Sequence, residues 1–464
     1  MSPLNERPLS VVVLAAGQGT RMKSSLPKVL HTIAGRPLVE HVIQAARQLQ
    51  ASDIHVVYGH GGEQVQQALS GYDLSWAEQA EQLGTGHAVE QALPGIADDH
   101  LVLLLYGDVP LISVASLRQL LAAGVTSDGA DALALLTARL DDPTGYGRIV
   151  RDAGGAVQAI VEQKDANEQQ LAITEINTGM LAVNAALLKR WIDRLDNNNA
   201  QGEFYLTDIV GLAVADHVSV NTTNPAEICE IEGVNNKRQL AELERAYQLR
   251  QARRLMEDGL TLRDPARFDL RGELMIGRDV EIDINVVIEG RVELGDGVVI
   301  GPNVVLKNVT IGSATQVYAN SVLEDSRLGS HCDIGPFARL RPETQLADGV
   351  KIGNFVEIKK STIAADSKVN HLSYVGDTTM GSQVNVGAGT ITCNYDGANK
   401  HQTIIGDNVF IGSDTQLVAP VTIASGATIG AGSTITHDTP ANTLTLSRVK
   451  QATINGWSRP TKKK

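Results

Sequence analysis

From Ile276 onward an aliphatic residue returns at every sixth position: Ile276, Ile282, Ile288, Leu294, Ile300 and Leu306. After a five-residue step the beat resumes at Ile311, Val317 and Leu323. It resumes again at Leu328, Ile334, Leu340, Leu346, Ile352 and Ile358, then at Ile363, Val369 and Val375, then at Met380 and Val386. It fails between Val386 and Ile405 and returns through Ile411, Leu417, Ile423, Ile429 and Ile435. A small residue often follows the aliphatic one, as at Gly277, Gly295, Gly301, Gly335 and Gly412. A period of six sustained over this length predicts an all-β parallel β-helix, three hexapeptides to a coil, with the five-residue steps at corners. At ~4.8 Å rise per coil the segment has room for about nine coils. The break after Val386 reads as a loop on the working face.

The pattern of the first half is different. Leu9–Ala15 and Leu101–Tyr106 are short apolar runs that stop at Gly17 and at Gly107-Asp108, and Pro37–Leu49 carries a helical period. Such runs between helical stretches predict a Rossmann-like α/β unit with a mixed, mainly parallel sheet. Ligands of such sheets sit at the carboxyl ends of the strands. Asn236–Gly259 is charged, lacks internal Gly or Pro, and places Leu240, Leu243, Tyr247 and Leu255 along one side. It reads as one linker helix capped by Asn236 and closed by Gly259. The expected organisation is 1–237 for the α/β domain, 238–258 for the linker helix and 259–464 for the β-helix with its tail.

A net charge of −13 over 464 residues argues against nucleic acid as a partner. Cys229, Cys332 and Cys393 have no metal-ligand spacing, and an odd count suits a reducing compartment. No stretch reaches the ~18 apolar residues of a membrane span. The first ten residues lack a signal-peptide pattern, so the expected location is cytoplasmic, away from any membrane. The basic tail Lys462–Lys464 reads as a solvated terminus.

Candidate chemistry begins at Leu14-Ala15-Ala16-Gly17-Gln18-Gly19-Thr20-Arg21-Met22. Its glycines let backbone N–H groups approach an anion. Met22 stands where a dinucleotide fingerprint needs a third glycine, and the loop is not a Walker A sequence. Arg21 and Lys28 add two cations suited to a nucleoside triphosphate. Asp108, directly after a buried run, stands where a magnesium ligand should. Gln82–His87 is a second Gly-rich loop opening a helix, fit for a nucleobase or a phosphate.

With Leu26-Pro27-Lys28, the first loop resembles the sugar-1-phosphate nucleotidyltransferases. Tyr106–Pro110, Asp142–Arg148, Glu175–Gly179 and Glu232–Asn236 narrow the likeness, which runs over essentially the whole chain. It is to the bacterial family of bifunctional N-acetylglucosamine-1-phosphate uridyltransferases and glucosamine-1-phosphate acetyltransferases. The resemblance implies that Leu14, Ala15, Ala16, Gly17, Lys28, Gln79, Gly84, Thr85, Tyr106, Gly107 and Asp108 bind the UTP moiety. It implies that Gly147, Glu162 and Asn177 hold N-acetylglucosamine 1-phosphate, that Asp108 and Asn235 hold Mg²⁺, and that Lys28 and Arg21 stabilise charge in uridyl transfer.

In the repeat phase, the residues after Leu323, Leu340, Ile358 and Val375 form one column: Glu324, Arg341, Lys359, Gly376. Two stacked cations need an anion: either Glu324 relieves Arg341 in a plain salt bridge, or a sugar phosphate relieves both. His371 should project outward in a column with Asn354 and Ala388. Amine acetylation needs a base at neutral pH, and imidazole is matched to that task. The resemblance gives His371 that role. It further implies that Arg341, Lys359, Tyr374 and Asn385 bind glucosamine 1-phosphate, and that Ala388, Asn394, Tyr395, Ser413, Ala431 and Arg448 contact substrate and acetyl-CoA. It also implies a homotrimer assembled through a left-handed β-helix. Two alternatives stay open: a nucleotidyltransferase whose β-helix only regulates or oligomerises, and a structural solenoid.

Overall fold

The structure is a computed structural model that describes residues 7–462 except Gln18 and His60. Gln18 of the first Gly-rich loop, and Lys463 and Lys464 of the basic tail, lie outside the described residues. The chain divides into two units, Met1–Tyr247 and Gln248–Lys464.

The first unit is built on strands β1 (Leu9–Leu14), β2 (Asp53–Tyr58), β3 (Ser75–Glu78), β4 (Leu101–Tyr106) and β5 (Leu133–Arg139), with β6 (Arg148–Arg151), β7 (Val157–Val161), β8 (Glu175–Asn184) and β9 (Val220–Thr223). The sheet order is β9-β5-β8-β4-β1-β2-β3, and β6 and β7 form a hairpin attached to β8. The run β4-β1-β2-β3 is parallel, and β8 is antiparallel to both its neighbours. Val11, Val13, Leu103 and Leu105 feed one buried cluster, and Val12, Leu14, Val102 and Leu104 feed another. Burial on both faces is why β1 and β4 read as unbroken apolar runs rather than alternating ones. Leu14 pairs with Tyr106 and with Val57, so the loops after β1, β2 and β4 leave the sheet at one edge.

One helix, Lys237–Glu257, spans the division between the units. Asn236 Oδ1 accepts from the Gln239 amide at 3.0 Å, an N-terminal cap. Gly259 takes φ +105°, which ends the helix. The apolar side foreseen from sequence serves two cores. Leu243 is buried among Met22, Ile33 and Leu38, whereas Ala252 and Leu255 join the β-helix core.

The second unit is the parallel β-helix. One face is an eleven-stranded ladder. Along it Ile282, Ile300, Val317, Ile334, Ile352, Val369, Val386, Ile411 and Ile429 stack coil over coil. All nine are buried. Corners use the left-handed backbone region without relying on glycine: Asn285, Asn303 and Asn320 take φ of 58°, 59° and 60°. Asparagine tolerates that region, and here it adds side-chain bonds between coils, Asn285 Nδ2 to Asn303 Oδ1 at 3.0 Å and Asn303 Nδ2 to Asn320 Oδ1 at 3.2 Å.

The interruption after Val386 is narrower than the sequence period implies. Ile391–Cys393 is a ladder strand paired with Tyr374 and with Gln416–Val418. Thr392 takes the inward slot, 1% exposed, and satisfies its hydroxyl on the Gly376 amide at 2.8 Å. The beat is therefore carried by a threonine, which an aliphatic count misses. The true excursion lies between Cys393 and Thr403, where the register advances 25 residues, from Thr378 to Thr403, instead of the 17 between Val369 and Val386.

Gln248 is buried, donates to the Leu270 carbonyl at 3.0 Å and accepts from the Leu270 amide at 2.7 Å. Gln248→Ala strands two buried backbone groups, each worth about 1–3 kcal/mol. Chemical denaturation of the full chain should show the second unit's transition destabilised by about 2 kcal/mol or more, with the first unit's transition unmoved.

Candidate active sites

The edge where β1, β2 and β4 end carries a cavity of about 430 Å³. Leu14, Ala15, Ala16, Gly17, Lys28, Gln79, Gly84, Thr85, Tyr106 and Asp108 line it, together with Gln82 and Glu203. Gly107 lies beneath, its amide bonded to the Leu14 carbonyl at 2.9 Å. Gln82 Nε2 donates to the Ala16 carbonyl at 2.7 Å, tying the two Gly-rich loops together. Gly84 takes φ +115°, and a Cβ there would lie 2.6 Å from the Phe204 carbonyl oxygen, so only glycine fits. A second, smaller cavity of about 90 Å³ shares Thr85 and Tyr106 and is lined by Glu162, Asn177 and Thr207. Gly147 borders it: its carbonyl accepts from the Asn177 amide at 2.9 Å. Burial pushes the Glu162 carboxyl up, against a hydrogen bond from Thr207 at 3.2 Å. Burial likewise raises the Tyr106 phenol, with Glu162 and Asp108 adding to it.

A third recess, about 350 Å³, is formed by Gly17, Gly19, Thr20, Arg21, Lys28, Gln82 and Asn235. Lys28 Nζ pairs with Asp108 Oδ2 and lies 3.3 Å from Asn235 Oδ1. Arg21 Nη2 donates to the same Asn235 oxygen at 2.9 Å. The backbone holds this group in place, with the Val234 amide bonded to the Asp108 carbonyl at 2.9 Å. A carboxylate and a carboxamide oxygen already gathered on one cation are the donor set a hard divalent ion takes.

The β-helix brings together a second group. Asn354 and His371 are register partners, and His371 Nδ1 bonds Asn354 Oδ1 at 3.0 Å. That bond puts the proton on Nδ1 and leaves Nε2 as the acceptor. By the same register Ala388, Ser413 and Ala431 continue His371's column over the next coils. Arg448 reaches the end of that column, its Cδ 3.7 Å from where a Cβ on Gly432 would lie. Small side chains leave a smooth strip running from the imidazole along the coil axis, with ~4.8 Å between steps.

Around the next corner stand Arg341, Lys359 and Tyr374. The carboxylate on Arg341 is not Glu324, as the column suggested, but Glu357 at 2.7 Å. Glu324 turns instead to Arg339, at 4.0 Å. Both pairs run diagonally between coils, the reach long side chains prefer to the direct neighbour. Lys400, delivered by the excursion, lies beside Lys359 and pushes its ammonium down, as do burial and Arg341, while Asp377 acts the other way. Asn394 donates to Asp377 at 2.5 Å and to the Tyr374 hydroxyl at 3.4 Å. Tyr395 is exposed, with its hydroxyl on the Gly397 carbonyl at 2.6 Å. Asn385 stands on the other ladder, between Lys368 and Phe410. Glu203, Thr207 and Lys400 were not read from the sequence. Glu203 and Lys400 lie on loops and Thr207 on the short 3₁₀ helix Leu206–Asp208, each placed by contacts remote in the chain; the Phe204 amide and carbonyl, for example, bond Leu83 and Gly86 at 2.8 Å.

Comparisons with known proteins cover nearly the whole chain. Residues 11–176 match the MobA-like NTP transferase domain, 270–351 the GMPPB C-terminal domain and 402–437 the bacterial transferase hexapeptide with its six repeats. The Bifunctional protein GlmU of Azoarcus sp. (strain BH72) is 59% identical over 456 residues, 98% of this chain and 100% of the relative. The Bifunctional protein GlmU of Methylococcus capsulatus is 60% identical over 452 residues, 97% of each chain. A solved nucleotidyl transferase from Methanothermobacter thermautotroptrophicus is 20% identical with a TM-score of 0.38, covering 53% of this chain and 99% of its own.

Arg341, Lys359 and Lys400 gather three cations, with Glu357 on Arg341 and Asp377 near both lysines. Lys400→Ala should weaken binding of inorganic phosphate there several-fold by titration calorimetry. The difference should shrink as salt rises, because these groups are exposed and screened.

Proposed function

Since the chain belongs to the bifunctional GlmU family, we propose that its two units perform consecutive transfers on one amino sugar. The β-helix acetylates glucosamine 1-phosphate with acetyl-CoA, releasing CoA. The α/β unit couples the N-acetylglucosamine 1-phosphate to UTP, giving UDP-N-acetylglucosamine and diphosphate. The observation that carries this reading is that one chain holds two separately built sites, each with a charge pattern fitted to its step.

In uridyl transfer a phosphate oxygen of the sugar 1-phosphate attacks the α-phosphorus of UTP, and diphosphate leaves from the opposite side. Catalysis of that kind is positioning and charge neutralisation. Lys28 and Arg21 face the recess beside the Gly17–Thr20 loop and supply positive charge. Glu162, Asn177 and Gly147 orient the sugar. Asp108 and Asn235 would hold Mg²⁺, which when bound neutralises phosphate charge.

In acetyl transfer His371 Nε2 takes a proton from the substrate ammonium. The freed amine attacks the thioester carbonyl, the C–S bond breaks with the electron pair on sulfur, and the proton shed by the new amide nitrogen converts the departing thiolate to the CoA thiol, while the proton on His371 passes to solvent. Asn354 fixes the tautomer this requires. Arg341, Lys359 and Lys400 hold the sugar phosphate, and Tyr374 and Asn394 flank it. The strip Ala388–Ser413–Ala431, ending at Arg448, accommodates the extended coenzyme. The scaffold-only alternatives leave the His371–Asn354 pair and the cation cluster without a purpose. Phe337 and Phe355, stacked at 5.2 Å and about half exposed, form with Leu372 an apolar stripe beside His371, which supports a homotrimer through the β-helix. No described helix is long and apolar enough to cross a membrane. The substrates are cytoplasmic metabolites in this reading, and the product serves peptidoglycan and lipopolysaccharide synthesis.

Asp108→Asn should lower UTP-dependent diphosphate release at least about a hundredfold and leave CoA release intact. Equal loss of both activities in a folded variant would assign Asp108 a structural role. His371→Ala should do the reverse, lowering CoA release by ~10²–10⁴ while sparing uridyl transfer. Its defect should narrow at high pH, where the amine is already neutral; a pH–rate profile parallel to wild type would remove His371 as the base.

A further inference from the structure

Both side chains assigned to Mg²⁺ are already engaged with cations in this chain. Asp108 Oδ2 is paired with Lys28 Nζ, and both side chains are about 85% buried. Asn235 Oδ1 receives Arg21 at 2.9 Å and Lys28 at 3.3 Å. A carboxamide oxygen has two lone pairs, so both are spoken for. A divalent ion that takes the Asn235 oxygen together with Asp108 Oδ2 must displace a cation. The local sum of one carboxylate, one ammonium and one guanidinium is positive, which repels a free metal ion and draws a polyanion.

We propose that Lys28 is the resident occupant of the metal seat and that the nucleotide, not the metal, dislodges it. This rests on the uridyl-transfer reading above. Triphosphate oxygens in the recess formed by Gly17, Gly19 and Thr20 attract the Lys28 ammonium and the Arg21 guanidinium. As they turn to the phosphates, Asp108 and Asn235 are released to the metal. Lys28 thus has two roles: it fills the seat in the free protein, and it neutralises phosphate in the complex. The seat is never left as an unpaired buried carboxylate, which would be costly. Linkage is reciprocal, so metal and nucleotide must each strengthen the other's binding.

The test is Mn²⁺ affinity of the full chain by electron paramagnetic resonance, with no nucleotide present. Wild type should bind Mn²⁺ weakly, and more tightly once UTP is added. Lys28→Met should bind Mn²⁺ about tenfold more tightly than wild type without UTP, within the 5–150-fold span of ordinary coupling. Arg21→Met, which removes one of the two donors on Asn235 and leaves Asp108 paired, should gain less. Lys23→Met removes one charge from the same loop without touching either oxygen, and should match wild type; it controls for net charge. Lys28→Met and Arg21→Met indistinguishable from Lys23→Met would overturn the proposal, and Arg21→Met alone carries the test if Lys28→Met fails to fold. A wild type that binds no Mn²⁺ even with UTP would bring down the metal-dependent reading, and this inference with it.

Discussion

Everything in the second unit follows from where its backbone hydrogen bonds go. In each coil they go to the coils above and below, so a residue's neighbours are set by a register of 17 or 18 residues rather than by local sequence. That constraint turns a linear repeat into columns. One column is apolar and makes the core. The column of Asn354 and His371 continues as Ala388, Ser413 and Ala431, a hydrogen-bonded pair followed by small side chains. The acetyl transfer proposed above needs no special loop to position the imidazole, because the ladder already aligns it with its asparagine.

The first unit reaches its site by a different route. Parallel strands deliver their carboxyl ends to one edge, and the loops that follow are short enough for backbone and charge to converge. Lys28 and Asp108 are far apart in sequence but face each other there. A cation and an anion held together in partial burial are a sensitive arrangement, stable only while each has a partner.

Much of this was legible from sequence, because two periods dominate. The unbroken apolar runs of β1 and β4 announce a sheet buried on both faces, and the hexapeptide beat announces the coils. The misses have physical causes. Thr392 fills a core position with a hydroxyl that bonds the Gly376 amide, so a count of aliphatic residues ends one strand too early. Glu324, one of the two ways the column offered to relieve Arg341, is not its partner, because long side chains reach diagonally and Glu357 wins. Lys400 and Glu203 ride on loops, and Thr207 on a short 3₁₀ helix, whose course depends on contacts remote in the chain, and no local pattern marks them.

The excursion between Cys393 and Thr403 has a further meaning for how such a protein changes. Its two ends are pinned by intact ladder strands, Ile391–Cys393 and Thr403–Ile405. Lengthening a loop with fixed ends is cheap, about 0.6 kcal/mol per doubling, whereas shifting the ladder would misplace every column beyond it. Loop length is therefore a nearly independent variable on a rigid template. On the proposed reading, lineages, or engineers, can move the ammonium of Lys400 toward a longer or differently charged acceptor without disturbing the imidazole, so that substrate range drifts while the proposed base stays fixed.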